Sequence, residues 1–96
     1  MNKVEHLLTC LVEECAEVQQ AVCKAQRFGL DDGYPGSVTT NAQDIVKECT
    51  ELIAVIEMLQ EEGVITCVGL FSSKYEKKER VKQYMKYAES RGMLEN

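Results

Sequence analysis

The chain has 96 residues, 45% of them apolar and 28% charged, with one Pro, no Trp and a formal net charge of −5. That length allows a single domain over residues 1–96 with a thin core, and one Pro fits a helical chain better than a turn-rich β-sandwich. The acidic balance argues against a general nucleic-acid binder, and no stretch approaches the ~20 apolar residues of a membrane span.

The spacing predicts a first helix from Asn2 to about Arg27. Asn2 with Glu5 three residues on is a capping-box pattern. Val4, Leu7, Leu8, Leu11, Cys15, Val18, Val22 and Ala25 recur at the three-and-four steps of one helical face. Gly29 marks the stop. Residues 28–40 hold three Gly and the only Pro and read as a loop. At roughly 13 residues it is long for a helix–helix connection, and loops of that length are often functional.

A second helix is expected from near Asn41, with Asp44 three residues later, to near Glu62 before Gly63. Ile45, Cys49, Leu52, Val55, Ile56 and Leu59 form its apolar face. Residues 64–71 are apolar and β-branched, and a short strand, a helical turn and a buried connector all remain open. A third helix is expected from Ser72 or Ser73, where Ser73 and Glu76 form another capping box, to near Arg91 before Gly92.

Charge is spread unevenly. Residues 74–91 hold seven Lys and Arg against three Glu, a net of +4, which leaves −9 on the remainder. An acidic body with a basic C-terminal segment suits a protein that holds cations and a polyanion together, although a solvated Lys-rich helix gives the same pattern. The five cysteines, Cys10, Cys15, Cys23, Cys49 and Cys67, are odd in number and contain no C-x-x-C. They indicate neither a disulfide framework nor a zinc site, and reduced thiols in the cytoplasm are the expected state. The N-terminus lacks the features of a secretory leader.

The chemistry concentrates in carboxylates. Glu14 and Glu17 are three apart on the first helix, and Glu48 and Glu51 are three apart on the second. Residues so spaced are neighbours on a helix surface. At about 100° per residue, Glu14 and Glu17 flank the apolar stripe on the same side, and Glu48 falls near the centre of the second helix's buried face with Glu51 and Asp44 at its shoulder. Buried anions are costly unless paired or bound to metal. Antiparallel packing would bring both pairs to one cleft, with no neighbouring cation except Lys47, expected on the far side. Oxygen-only ligands select Mg²⁺ or Mn²⁺, or Ca²⁺, over Zn²⁺. One Glu-x-x-Glu alone is commonly a solvated surface. Two pairs, each beside an apolar stripe, point to metal.

Glu13-Glu14-Cys15-Ala16-Glu17 followed by Glu48-Cys49-Thr50-Glu51 resembles the paired signature of the MazG-like all-α nucleoside triphosphate pyrophosphohydrolases, E-E-x-x-E and then E-x-x-D. Further stretches look like the small, phage-borne members: Lys24 to Gly29, Asp31 to Gly36, Asn41 to Asp44, and the C-terminal run from Lys77 through Arg80, Tyr84 and Tyr87 to Ala88. The resemblance covers most of the chain. It departs at Glu51, where the family usually has Asp. It implies an all-α fold, a helical hairpin plus a C-terminal helix assembling as a four-helix bundle across a homo-oligomer, dimer or tetramer. It also implies Mg²⁺-dependent hydrolysis of an NTP or dNTP to a monophosphate and pyrophosphate, with Glu14, Glu17, Glu48 and Glu51 as metal ligands. Glu13 is the weaker catalytic candidate, as a proton acceptor or ligand-orienting group, and a solvated role is its plain alternative.

Substrate contacts are sought among cations and aromatics. Lys24 and Arg27 either touch phosphate or complement the helix dipole. Lys77, Lys78 and Arg80 are candidates for the outer phosphates. Phe28, Tyr34 and Tyr84 are the aromatic faces on offer, with a core or loop-shaping role open for Phe28 and Tyr34. Asn41 could read a base edge, although capping is its first expected duty. His6 is assigned no role. A competing reading is an inactive relative that serves as a helical interaction module, favoured by Glu51 in place of Asp. A carboxylate-bridged iron protein is disfavoured because no Glu-x-x-His occurs.

Overall fold

The computed structural model describes residues 1–66 and 70–95, with backbone alone at Leu70 and Phe71. It is all-helical, with no strand among the described residues: α1 (Lys3–Phe28), α2 (Asn41–Glu61) and α3 (Leu70–Ser90). The chain divides into two compact units, residues 1–66 and residues 67–96. No described helix is long and apolar enough to cross a membrane.

In the first unit, α1 starts where the sequence places it. Asn2 Oδ1 accepts from the Glu5 backbone N–H at 2.8 Å, and Asn2 Nδ2 donates to Glu5 Oε1 at 3.2 Å. The helix stops at Gly29, whose φ of 101° is open to glycine and strained for other residues, and whose N–H donates to Ala25 O. The second helix, α2, starts at Asn41 as expected, and only its cap corrects the sequence reading. Thr40, not Asn41, is the N-cap: its hydroxyl accepts from Gln43 N–H at 3.2 Å, and Gln43 Oε1 accepts from Thr40 N–H at 2.9 Å. Asn41 is thereby released for a different task, described below.

The two helices run antiparallel. At one end of the hairpin the Lys3 ammonium meets Glu62 Oε1 at 2.6 Å; at the other, Asn41 reaches the end of α1. The core between them is thin. Its buried apolar residues are Leu7, Ala21, Ala25 and Leu59, of which only Leu59 is fully enclosed. Ala21 is small, was not in the expected stripe, and is buried beside the first cavity. Leu8, Val12, Val46 and Ile53 stay exposed, at 41%, 69%, 65% and 53%.

In the second unit, α3 begins at Leu70, earlier than expected. Ser72 and Ser73 lie inside the helix, so the expected Ser73–Glu76 capping box does not start it. The helix ends as expected around Gly92, with Met93 N–H donating to Ala88 O at 2.9 Å. In the 64–71 segment, residues 64–66 are exposed and 70–71 belong to α3, while 67–69, including Cys67, lie outside the described residues. The four described cysteines are free, with Cys15 and Cys23 exposed and Cys10 and Cys49 half-buried.

Candidate functional site

Antiparallel packing sets the middle of α1 against the first half of α2. It brings Glu14, Glu17, Glu48 and Glu51 together: one carboxylate oxygen from each lies within 4.8 Å of the others. Glu14, Glu48 and Glu51 are half-buried and Glu17 is exposed. Glu48 is the most enclosed of the second pair, its side chain 19% exposed against 45% for Glu51, as its place on the helical wheel requires.

The cluster is electrostatically unsettled. Glu14 Oε2 and Glu48 Oε2 are closed off from solvent and have no hydrogen-bond partner. Burial pushes the Glu48 carboxyl above its ordinary range; a hydrogen bond to Glu17 and the charges of Glu51 and Glu17 push it the same way, and Lys47 alone opposes them. Lys47 is not on the far side, which corrects the sequence reading. Its ammonium stands 3.8 Å from Glu48 Oε1 and 3.7 Å from Glu51 Oε1. On the helical wheel Lys47 and Glu51 are only about 40° apart, and a four-carbon stem spans that easily. Four carboxylates that bring an oxygen each to this spacing, two of them also carrying an enclosed oxygen without a partner, form a set that could hold a hard divalent cation.

Beside the cluster lies a cleft in two parts. A cavity of ≈ 220 Å³ is lined by Glu17, Gln20, Lys47 and Glu48. A larger one of ≈ 610 Å³ is lined by Phe28, Asp32, Gly33, Tyr34 and Pro35. Lys24, Asn41 and Asp44 line both and join them. The walls of the larger part are built by the 29–40 loop folding back on α2. Asn41 is the buried pivot: its Nδ2 donates to Gly29 O at 2.8 Å and its N–H to Asp32 O at 2.6 Å, while Ala42 N–H donates to Leu30 O at 3.0 Å. Gly33 passes so close to the Thr39 carbonyl that a Cβ would collide with it. Asp44 Oδ1 accepts from Thr39 Oγ1 at 2.8 Å.

Among the substrate-contact candidates, Lys24, Tyr34 and Asn41 share the cleft, and Phe28 with them. Asn41 does not cap α2. Arg27 places its guanidinium 4.8 Å from the centre of the Phe28 ring, a cation–π contact. Glu13 is exposed and outside the carboxylate group. Lys77, Lys78, Arg80 and Tyr84 belong to the second unit, where they are exposed. Sequence reasoning missed Gln20, Asp32 and Lys47. Gln20 follows Glu17 by three, a signal that was available; Asp32 is placed by loop bonds to Asn41 that no local pattern announces. Compared with protein-family models, with curated proteins and with solved structures, the chain finds no significant match.

Proposed function

We propose that this protein is a Mg²⁺-dependent nucleoside triphosphate pyrophosphohydrolase of the MazG-like kind, splitting the α–β phosphoanhydride of an NTP or dNTP to a monophosphate and pyrophosphate. The observation that carries the reading is the meeting of Glu14, Glu17, Glu48 and Glu51 oxygens within 4.8 Å, with two of their oxygens sealed and unpartnered. Those four glutamates would hold Mg²⁺, or Mn²⁺ in its place. The bound ion would polarise phosphate oxygens and acidify the attacking water. Lys24 and Lys47 line the cleft next to the carboxylates and supply positive charge for the phosphates. Glu13 is exposed and outside the carboxylate group, which leaves a solvated role as the plainer one and proton acceptance from the water as the weaker. Phe28 and Tyr34 offer flat faces to the base at the far end.

The same reading takes the protein as a homodimer or tetramer in which hairpins from two copies close a four-helix bundle. The exposure of Leu8, Val12, Val46 and Ile53 on a hairpin with one fully buried side chain supports it. Free thiols at the four described cysteines fit a reducing cytoplasm.

A second reading has one observation in its favour. Lys47 already stands beside Glu48 and Glu51 and offsets part of their charge, which a helical interaction module without metal would need. Phosphate release over a panel of NTPs and dNTPs with Mg²⁺, after added inorganic pyrophosphatase, separates the two. Turnover that falls more than about 100-fold in Glu48→Gln, beyond the usual cost of a group that only supports a ligand, supports the enzyme. No turnover with any nucleotide favours the module.

A further inference from the structure

Asp32 is the one charged side chain that lines the larger cavity and not the smaller, since Lys24 and Asp44 line both. It is also held in place. Its Oδ1 accepts from the Gly33 N–H at 2.8 Å, and its carbonyl accepts from the buried Asn41 backbone at 2.6 Å. One carboxylate oxygen is therefore spent on the loop and the other is left for a ligand.

We propose that Asp32 selects the nucleobase, admitting bases that present amino or paired N–H donors, guanine above all, and turning away uracil and thymine. The orientation rests on the triphosphate reading above: phosphates at Glu17, Lys47 and Glu48 put the sugar at Lys24, Asn41 and Asp44 and the base against Phe28, Tyr34 and Pro35. At ≈ 610 Å³ the larger cavity is in the range of small-ligand sites, roomy enough for a purine. Its aromatic and proline walls stack on any base and do not choose among them. The choice falls to the polar groups at the edge. A carboxylate only accepts, so it pairs with N–H donors. Guanine offers N1–H and the 2-amino group side by side, and the remaining Asp32 oxygen can accept from both through its two lone pairs, whereas adenine and cytosine offer one amino group. Uracil and thymine offer a single N–H between two carbonyls, whose lone pairs face the carboxylate and repel it. Asp32 is exposed in the open cleft, and a base stacked against Phe28 and Tyr34 would cover it, so a ligand edge that mismatches the carboxylate is penalised when it binds.

The test measures binding apart from turnover. Guanosine, cytidine, uridine and thymidine, and then the α,β-methylene triphosphates of the same bases with Mg²⁺, are titrated by calorimetry or ligand-observed NMR. Guanosine should bind roughly tenfold or more tightly than uridine. Asp32→Asn keeps the acceptor for Gly33 and replaces the free oxygen with a donor. It should bring the two within about twofold, while Asp31→Asn, outside the cavity lining, leaves the preference intact. Should the Asn variant not fold, Asp32→Ser keeps a turn-forming oxygen and answers the same question. Equal binding of guanosine and uridine to the unaltered protein overturns the assignment, as does a preference that survives loss of the Asp32 carboxylate. An Asp32-dependent preference in a protein that hydrolyses no triphosphate sinks the enzyme reading and leaves Asp32 as the selector of the base.

Discussion

The two ends of the cleft are built on opposite principles. At the loop end nearly every polar group is answered: Asn41 bonds to Gly29 and Asp32, Ala42 to Leu30, Thr39 to Asp44, and Thr40 and Gln43 cap each other. At the carboxylate end like charges face each other and two oxygens have no partner. A satisfied network stabilises and specifies a conformation, whereas an unsatisfied cluster costs stability and is retained where a ligand completes it. The loop end thus reads as a fixed frame for recognition and the carboxylate end as the part that a bound ion would complete.

The comparison breaks most sharply at Glu48. Because its folded carboxyl holds a proton more tightly than the ordinary value of 4.5, its contribution to stability is full below that value and is lost as pH rises through the shifted one. Glu48→Gln should therefore raise the thermal midpoint of the metal-free protein near neutral pH even as turnover collapses. A lowered midpoint would mean that the carboxylate end is not strained. In the same sense, Mg²⁺ affinity measured by calorimetry should climb as pH rises through that carboxyl's range, because proton and metal compete for one oxygen; a flat profile would remove Glu48 from the ligand set.

At the loop end the sign reverses. Asn41→Leu removes a buried donor and leaves the Gly29 carbonyl only the long bond from the Asp32 N–H at 3.4 Å, so urea unfolding should show a loss of about 1–3 kcal/mol. The KM for nucleotide should rise with it as the wall of the larger cavity loosens. The smallest effect is expected at the far end of the hairpin. Lys3 pairs with Glu62 in the open, and Lys3→Met should leave the urea unfolding midpoint nearly unchanged. The hydrogen bond and charge of Glu62 hold the Lys3 ammonium above its ordinary 10.5. That small contribution is present below 10.5 and fades only as pH rises through the raised value.

Much of this was legible in the sequence for stated reasons. Helix ends carried by glycine at 29, 63 and 92 were readable, because a positive φ leaves few other residues. The acidic cluster was readable because three-residue spacing fixes neighbours on a helix surface. The start of α2 near Asn41 was readable, but its cap was assigned one residue late because Thr40 with Gln43 and Asn41 with Asp44 are overlapping cap patterns, and only the loop's need for Asn41 decides between them. Lys47 was misplaced because a wheel locates Cα positions and not the reach of a long side chain. Asp32 was silent because its position is set by a contact with Asn41, nine residues along the chain.

The loop closes on itself beyond Gly33. Ser37 N–H donates to Tyr34 O at 2.8 Å, its hydroxyl bonds to Thr39, and Val38 is fully exposed. Residues 34–38 therefore form an exchangeable tip on a fixed stalk. Libraries randomised there could re-tailor the recognised ligand while leaving the helical hairpin and its acidic centre untouched, a separation that makes this small chain a convenient chassis for redesign.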